Sequence, residues 1–369
     1  MKKVLINCAN LHVGGALQVA SSFIFELQYQ KINAEKVNIL VSSEVETSLG
    51  KLNMPSNVQI HNINTYGLKA LFKFGVLVEN YDVAFTIFGP KYSIFKAKNE
   101  IVGFAQPWIS TPKPIKIPTI GILKKIKFLL KYKLQELFFL QADILVVELE
   151  HVKTGLHLKR LFKKKEILVV HNSIPSLYHN PKSWLGIDHD FSKDILKIGY
   201  ITRDYDHKNI QILVKVTKIL KERGYRDFKF YFTLSDDEWS KYKYKFSENA
   251  INIGVLNTHQ CPTFYRNMDV TIFPSLLECF SVTPLESIFM DVPLLASDRG
   301  FVKNVCMNNA TYFDPLNPED ICEKIIAFLS NHTKYKKNVL PPKNIDKFMN
   351  PSFRAKKYVD IINNKLMVN

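Results

Sequence analysis

The sequence predicts an α/β protein of two domains, each a parallel sheet with helices on both faces. Three observations lead to this fold class. Short apolar runs alternate with helical stretches along the chain, and this alternation is typical of parallel strands joined by crossover helices. Most runs are continuously apolar, as expected for strands buried on both faces. The length of 369 residues suits about two domains of ~150 residues each.

Seven apolar runs in the first half of the chain are predicted as strands: 4–8, 37–41, 58–63, 82–87, 101–104, 143–147 and 167–170. Five more follow in the second half: 197–201, 229–233, 251–255, 270–273 and 293–296. Helices are predicted between them, among them 16–27, 209–223 and 318–331. This order of elements indicates two Rossmann-like domains.

The boundary between the domains is expected near residues 171–175, where a predicted strand runs into the turn-forming sequence HNSIP. We therefore expect a first domain over residues 1–172 and a second over 173–350. Residues 176–195 resemble a linker. The final segment, 351–369, is predicted to be a helix that packs back on the first domain.

The composition is that of a globular protein, with 46% hydrophobic residues, and excludes wholesale disorder. The net charge of +16 favours anionic partners such as phosphorylated ligands, an anionic membrane face or nucleic acid. Five scattered cysteines without a C-x-x-C pair argue against a zinc ribbon or a disulfide framework. No apolar run approaches the ~18 residues of a membrane span.

Half of the excess charge lies in residues 109–170, which hold 13 Lys and Arg against five Asp and Glu. Within this segment, residues 120–140 are amphipathic. Three lysines share one helical face, and an apolar stripe lies beside them: Lys124, Lys127 and Lys131, with Leu123, Ile126, Leu130, Leu134 and Leu137. The stripe could pack into the core of an ordinary surface helix, or it could lie on anionic lipid. Nucleic acid is a third possibility, although no nucleic-acid motif accompanies it.

Several common motifs are missing. The chain has no G-x-x-x-x-G-K-[ST] loop, which argues against a P-loop nucleotidase, and no G-x-G-x-x-G in the first βα turn. Instead, Gly14 and Gly15 stand between the first strand and the first helix. A glycine pair lets the backbone approach a ligand, and a helix N-terminus behind it favours an anion. A simple tight turn would use the same two residues.

The second domain opens in a similar way, because residues 202–209 connect its first strand to a helix. Arg203 can bind phosphate oxygens through two N–H groups, and Lys208 adds a compact positive charge. Asp204 and Asp206 have the spacing of a metal motif. Since Asp is also a natural residue at a helix start, we do not expect a metal there.

Two carboxylates, Glu278 and Glu286, flank the loop and helix start that follow a predicted strand. Residues 280–283 would present unpaired amides there, which suits a phosphate beside carboxylates that accept hydrogen bonds from sugar hydroxyls. The segment from Thr283 to Glu286 also reads as a capping box with a proline at the first helical position. From the spacing alone, Glu286 is as good a cap as a ligand.

These features resemble glycosyltransferase family 4, the glycosyltransferase group 1 enzymes, which are retaining and have the GT-B fold. Glu278-x7-Glu286 in the context FPSLLECFSVTPLES is similar to the E-x7-E region of that family. The other matching positions are Gly14-Gly15, 142–147, Arg203, Lys208-Asn209, 294–300 and 312–315, with 102–108 as a weaker match. They cover the second domain almost throughout.

The resemblance implies two Rossmann-like domains facing a cleft, with the acceptor in the first and the nucleotide-sugar donor in the second. It implies sugar transfer with retention of anomeric configuration and no metal or other cofactor. The implied catalytic residues are Glu278, Arg203 and Lys208, and the implied donor-binding residues are Gly15, Arg203, Lys208, Phe280, Ser281, Val282 and Glu286. Glu278 would hold sugar hydroxyls, and Glu286 the ribose.

With the basic segment, the resemblance implies an enzyme of bacterial surface polysaccharide synthesis, such as O-antigen, capsule or lipopolysaccharide. We expect it at the cytoplasmic face of the cell membrane, acting on a lipid-linked saccharide and not on nucleic acid. Two alternatives stay open: a nucleotide-sugar epimerase of the same fold, and a non-enzymatic basic protein that binds membrane or nucleic acid. The residues do not choose among UDP, GDP and ADP donors.

Overall fold

The computed structural model of the chain describes residues 2–12, 14–49, 52–70, 78, 80–111, 122–191, 195–330 and 346–367. The chain forms two compact units, the first made of Met1–Pro175 and Lys347–Asn369 and the second of Ser176–Asp346. The boundaries expected at 172/173 and 350/351 therefore lie a few residues from those of the structure. The expected helix ends at 120–121, 331 and 368–369 lie outside the described residues.

The first unit contains a parallel sheet of seven strands in the order β3-β2-β1-β4-β5-β6-β7. The strands are β1 Lys3–Cys8, β2 Lys36–Val41, β3 Val58–Asn62, β4 Val83–Thr86, β5 Asn99–Gly103, β6 Ile144–Val147 and β7 Glu166–Val169. Every residue of β4 and β6 is buried. Their apolar runs fit this burial, because helices on both faces of a parallel sheet remove both sides of a strand from water.

Six helices belong to the first unit within the described residues: α1 Gly15–Glu26, α2 Ser43–Ser48, α3 Pro107–Ser110, α4 Ile122–Leu140, α5 Glu150–His157 and α13 Pro351–Met367. The C-terminal helix α13 packs against α1 as an integral part of this unit. The rings of Phe23 and Tyr358 meet edge to face, with their centroids 5.3 Å apart. Arg354 is 2% exposed and bonds to Asn172 and to Ser22, so this contact buries a charge as well as apolar surface.

The second unit contains a parallel sheet of six strands in the order β10-β9-β8-β11-β12-β13. The strands are β8 Leu196–Tyr200, β9 Phe228–Phe232, β10 Ala250–Asn252, β11 Val270–Phe273, β12 Leu294–Ser297 and β13 Thr311–Phe313. Its helices are α6 Ile210–Glu222, α7 Asp236–Ser240, α8 Lys243–Phe246, α9 Cys261–Arg266, α10 Thr283–Phe289, α11 Gly300–Cys306 and α12 Pro318–Ser330. The predicted class, α/β with two parallel sheets, is confirmed.

The structure corrects the expected linker. Residues 176–191 are packed on the second unit, since Tyr178 is 2% exposed and meets the ring of Phe289 edge to face at 6.0 Å. Trp184 lies under the guanidinium of Arg266, with the ring centroid 4.5 Å away. Tyr178 and Trp184 therefore anchor this otherwise exposed or half-buried segment to the second unit, and residues 192–194 lie outside the described residues.

The amphipathic helix also differs from one expectation. Four residues of its apolar stripe, Ile126, Leu130, Leu134 and Leu137, are between 37% and 65% exposed, so they do not pack into the core. Among the side chains of α4 that the structure describes, the buried ones are instead Gln135, Glu136 and Phe139. The side chains of Leu123 and Lys124 lie outside the described residues.

Candidate functional site

Two loops of the second unit meet at the point where the strand order of its sheet reverses. One follows β8 and carries Arg203 and Lys208, and the other follows β11 and carries Glu278. Strands β8 and β11 are neighbours in the sheet. The connection after β8 runs toward one edge of the sheet, whereas the connection after β11 runs toward the opposite edge. Open α/β sheets bind ligands at the carboxyl ends of the strands at such a point. The sheet topology therefore places these loops where a ligand is expected.

Lys208 and Glu278 form an ion pair across this point. Nζ of Lys208 lies 2.8 Å from Oε1 of Glu278, and the two side chains are only 15% and 11% exposed. Nζ also lies 5.5 Å from the centroid of the Phe273 ring, at the end of β11. Thus two of the three residues implied to be catalytic are in direct contact.

Backbone contacts fix the two loops to each other. The carbonyl of His207 accepts hydrogen bonds from the amide of Leu276 at 2.7 Å and from the hydroxyl of Ser275 at 3.1 Å. Asn209 has a left-handed backbone with φ of 59°, a conformation that Asn tolerates better than most residues. Its Nδ2 donates to the carbonyls of Pro274 at 3.2 Å and Pro315 at 2.7 Å. These bonds hold the backbone on either side of Lys208.

Arg203 is held by a residue that the sequence analysis did not single out. Its Nε bonds to both carboxylate oxygens of Glu238, at 3.1 and 3.0 Å. Glu238 also accepts the amide of Asp204 and closes a capping box with Ser235 at the start of α7. The terminal Nη groups of Arg203 make no hydrogen bond within the described residues, and the side chain is 46% exposed. Glu238 therefore anchors the guanidinium and leaves its end available for an anion.

The two aspartates that follow Arg203 differ in their contacts with the rest of the protein. Asp204 accepts hydrogen bonds from Lys241 at 2.6 Å and from the Tyr242 hydroxyl at 2.5 Å, so both of its oxygens have protein partners. Asp206 lies in a one-turn 3₁₀ helix and is exposed. Across the described ranges, no three His, Cys, Asp or Glu side chains are grouped closely enough to hold a metal ion. Independence from metal stays a prediction.

Of the two alternatives left open for Glu286, the structure rules out the capping box. Helix α10 already includes Thr283, and its N-cap is Val282, which makes no side-chain capping bond. Glu286 instead accepts a hydrogen bond from the Tyr265 hydroxyl at 2.9 Å and is 8% exposed. Burial raises the pKa of Glu286 to about 7, although the bond from Tyr265 favours the charged form. Glu286 is a buried carboxyl at the base of the loop that carries Glu278.

The segment between the two glutamates is partly exposed. Phe280, Ser281 and Val282 are all of intermediate exposure, and the hydroxyl of Ser281 lies 3.0 Å from that of Thr283. The backbone amides of Ser281 and Val282 have no hydrogen-bond acceptor among the described residues. They are thus available to a ligand, as expected for a helix start.

The glycine loop belongs to the first unit. Gly14 has φ of +74°, a conformation that favours glycine, and Gly15 is the first residue of α1. A Cβ at Gly15 would meet no atom within 4 Å. Just before the loop, Nδ1 of His12 lies 2.8 Å from a carboxylate oxygen of Glu44, and this pair was not singled out from the sequence. The donor contact implied for Gly15 stays a prediction.

Comparison with known proteins finds a family match in the second unit and one curated relative. Residues 188–339 match the family described as Glycosyl transferases group 1, and this region contains Arg203, Lys208, Glu278 and Glu286. The chain is 25% identical over 231 residues to the capsular polysaccharide biosynthesis glycosyltransferase CapM of Staphylococcus aureus. This match covers 58% of the chain and 60% of the length of CapM.

Solved structures show the fold. Sucrose-phosphate synthase of Thermosynechococcus elongatus aligns with a TM-score of 0.69 and 10% identity, covering all of both chains. A TarM mutant of S. aureus in complex with fondaparinux, α-GlcNAc-glycerol and UDP aligns with a TM-score of 0.64 and 12% identity, covering 98% of this chain and all of TarM. The protein therefore has the GT-B fold.

Proposed function

We propose that the protein is a glycosyltransferase that moves a sugar from a nucleotide-sugar donor to an acceptor hydroxyl, with retention of anomeric configuration. The observation that carries this proposal is the contact between Lys208 and Glu278 at the carboxyl edge of the second sheet. A cation for the diphosphate and a carboxylate for the sugar stand side by side there, within the region that matches the family. Retention rests on the resemblance of the E-x7-E region.

The ion pair of Lys208 and Glu278 accounts for how the site would stabilise the negative charge that develops during the reaction. When the bond from the anomeric carbon to the diphosphate breaks, negative charge develops on the leaving phosphate oxygen. Lys208 and the free end of Arg203 would stabilise that charge, aided by the amides of Ser281 and Val282. As Lys208 turns to the diphosphate, Glu278 would lose its partner and accept hydrogen bonds from the hydroxyls of the donor sugar.

Two further residues would complete the donor site. We assign the ribose to Glu286, whose carboxyl is oriented by Tyr265. On the family resemblance, we also assign a donor contact to the backbone at Gly15. No cofactor is needed in this scheme, because the positive charges that would otherwise come from a metal are supplied by Lys208 and Arg203.

The acceptor would be a lipid-linked saccharide at the cytoplasmic face of the membrane. Helix α4 supports this, since its exposed face carries Leu129, Leu130 and Leu137 beside Lys127 and Lys131. Exposed leucines next to lysines suit an anionic bilayer, where each nearby basic residue contributes about 1 kcal/mol. None of the helices in the described ranges has the length and hydrophobicity of a membrane span.

The names of similar proteins suggest a pathway. CapM is described as a glycosyltransferase of capsular polysaccharide biosynthesis, and the TarM structure contains UDP. We therefore place this protein in the synthesis of a bacterial surface polysaccharide, with UDP-sugars as the first donors to test.

A thermal-shift screen over UDP-, GDP- and ADP-sugars, followed by a transfer assay with lipid-linked saccharides, tests the proposal. A donor at 100 times its Kd should raise the free energy of unfolding by about 2.7 kcal/mol. Transfer should require the acceptor and should survive EDTA. Turnover of donor that ignores the acceptor would instead identify an epimerase, and no nucleotide-sugar binding at all would leave a non-enzymatic basic protein.

A further inference from the structure

The contact between Arg203 and Glu238 joins the loop after β8 to helix α7. Both carboxylate oxygens of Glu238 accept from Nε of Arg203, at 3.1 and 3.0 Å. The two Nη groups make no hydrogen bond in the part of the chain that the structure describes. These groups form a fork that fits two oxygens of one phosphate. The contact therefore fixes the Nε end of the guanidinium and keeps the fork for a ligand.

Glu238 is itself held by bonds that do not involve Arg203. Its Oε2 accepts from the amide of Ser235 at 2.9 Å, and its Oε1 accepts from the amide of Asp204 at 3.1 Å. The side chain is only 17% exposed. Burial acts to raise the pKa of Glu238, but the bonds from the two amides and from Arg203 hold it below its ordinary value. A fixed carboxylate therefore faces Arg203 at neutral pH.

The loop after β8 has a second attachment to the same segment of the chain. Asp204 accepts hydrogen bonds from Nζ of Lys241 at 2.6 Å and from the hydroxyl of Tyr242 at 2.5 Å. Both donors directly follow α7. Residues 235–242 thus hold two successive side chains of the loop, those of Arg203 and Asp204, and the loop cannot shift freely beneath the guanidinium.

The contact orients Arg203 at the expense of its charge. A carboxylate bonded to Nε weakens the attraction that the guanidinium exerts on a distant anion. In return, it restricts a long side chain that would otherwise lose rotamer freedom when a ligand immobilised it. Because part of this entropy is already lost before the ligand arrives, the arrangement favours a ligand that uses the fork in one fixed geometry.

We propose that Glu238 is a positioning residue, which holds Arg203 so that its two Nη groups are oriented for oxygens of the donor diphosphate. This inference rests on the glycosyltransferase activity proposed above. During transfer, the oriented guanidinium meets the negative charge as it develops on the leaving phosphate, without having to reorganise. Glu238 touches no substrate and acts through Arg203.

Isothermal titration of the full chain with inorganic pyrophosphate tests the proposal whatever the donor is. Glu238→Gln can close the same capping box, but it offers Arg203 a single acceptor oxygen without charge. We expect it to weaken pyrophosphate binding about fivefold, which corresponds to ~1 kcal/mol. In the Arg203→Ala background the same change should have no effect, whereas a general loosening of α7 would weaken binding in both backgrounds.

Asp237→Asn is the matched control, because it removes the same charge from an exposed neighbouring position of α7. It should bind pyrophosphate at least as tightly as the wild type. In a transfer assay at saturating donor, Glu238→Gln should lower kcat about tenfold, or ~1.4 kcal/mol, and Asp237→Asn should leave kcat unchanged.

The proposal is overturned if the wild type does not bind pyrophosphate, or if Glu238→Gln binds it like the wild type. It is also overturned if Asp237→Asn weakens binding as much, if the effect of Glu238→Gln persists without Arg203, or if Glu238→Gln keeps the wild-type kcat. A wild type that transfers no sugar but binds pyrophosphate in the expected pattern would contradict the proposed transferase and leave the role of Glu238 intact.

Discussion

Nζ of Lys208 lies 2.8 Å from Oε1 of Glu278, and this contact joins the loops that follow β8 and β11. Each residue is held in place by the fold, and each neutralises the other while no donor is bound. A diphosphate would compete for Lys208 and so release Glu278. The contact thus couples recognition of the diphosphate to recognition of the sugar.

The first prediction concerns the stability of this pair. Lys208→Met or Glu278→Gln alone should lower the free energy of unfolding by about 1–3 kcal/mol, because each leaves a mostly buried group without its partner. The double variant should lose less than the sum of the two. Urea unfolding of all four proteins measures this coupling, and strictly additive losses would mean that the contact contributes no stability.

The second prediction separates Arg203 from an ordinary surface arginine. Arg203→Ala should reduce kcat/KM by about 10²–10³-fold, the effect of removing one electrostatic donor from a transition state. Arg223→Ala is the control, since this arginine also forms ion pairs at the protein surface, with Glu319 and Glu323 at 2.5 Å. It should leave kcat/KM unchanged. A threefold or smaller effect of Arg203→Ala would remove Arg203 from the site.

The third prediction uses the raised pKa of Glu286, about 7 against an ordinary value of 4.5. Between these values the folded protein holds a proton that the unfolded chain has released, so stability must fall as the pH rises. The stabilisation is complete below pH ~4.5 and is lost by pH ~7, with a total of about 3 kcal/mol at 1.36 kcal/mol per pKa unit.

Glu286→Gln should remove this dependence. The free energy of unfolding of the wild type minus that of the variant should therefore decline by about 3 kcal/mol as the pH rises from 5 to 8. Urea unfolding at several pH values gives the difference directly. A difference that stays constant, or that grows with pH, would show that the carboxyl is not held protonated in the folded protein.

The fourth prediction concerns the exposed face of α4. Full-length protein should bind vesicles of phosphatidylcholine and phosphatidylglycerol at low salt. Most of this binding should vanish at high salt, because the Debye length falls from ~10 Å at 0.1 M to ~3 Å at 1 M. Lys127→Gln with Lys131→Gln should weaken sedimentation with the vesicles, and so should Leu130→Gln with Leu137→Gln.

A matched control lies in the second unit, where Lys243→Gln with Lys245→Gln removes the same charge from α8. This control should bind vesicles like the wild type, and every variant should keep its Tm because the replaced side chains are exposed. If the wild type ignores anionic vesicles at low salt, a soluble acceptor becomes the better proposal.

Much of the fold could be predicted because buried parallel strands have a strong sequence signal. Of the thirteen strands in the part of the chain that the structure describes, twelve were expected within a few residues of their observed bounds. The missing strand, β13, has only three residues, and two of them are of intermediate burial. Residues 176–191 were misread because their contacts are long-range: nothing near Tyr178 in the sequence indicates that Phe289 will cover it.

The residues of the site could be predicted from the sequence, but their contacts with one another could not. Lys208 and Glu278 were both singled out, yet 70 residues separate them, and each was assigned to a ligand and not to the other. Glu238 sits in a recognisable capping box, but its bond to Arg203 depends on how two loops meet. For Glu286 the capping-box motif was misleading. A box with Thr283 as its N-cap would start the helix at the residue after Thr283, whereas helix α10 starts at Thr283 itself.

The most direct test of the central claim is the preference for a diphosphate. Isothermal titration should compare the nucleoside diphosphate and monophosphate of the preferred donor, for the wild type and for Lys208→Met. We predict that the wild type binds the diphosphate at least tenfold more tightly, about 1.4 kcal/mol, and that Lys208→Met loses most of this preference. A wild type that does not distinguish the two, or a Lys208→Met variant that distinguishes them as well as the wild type, would contradict the account.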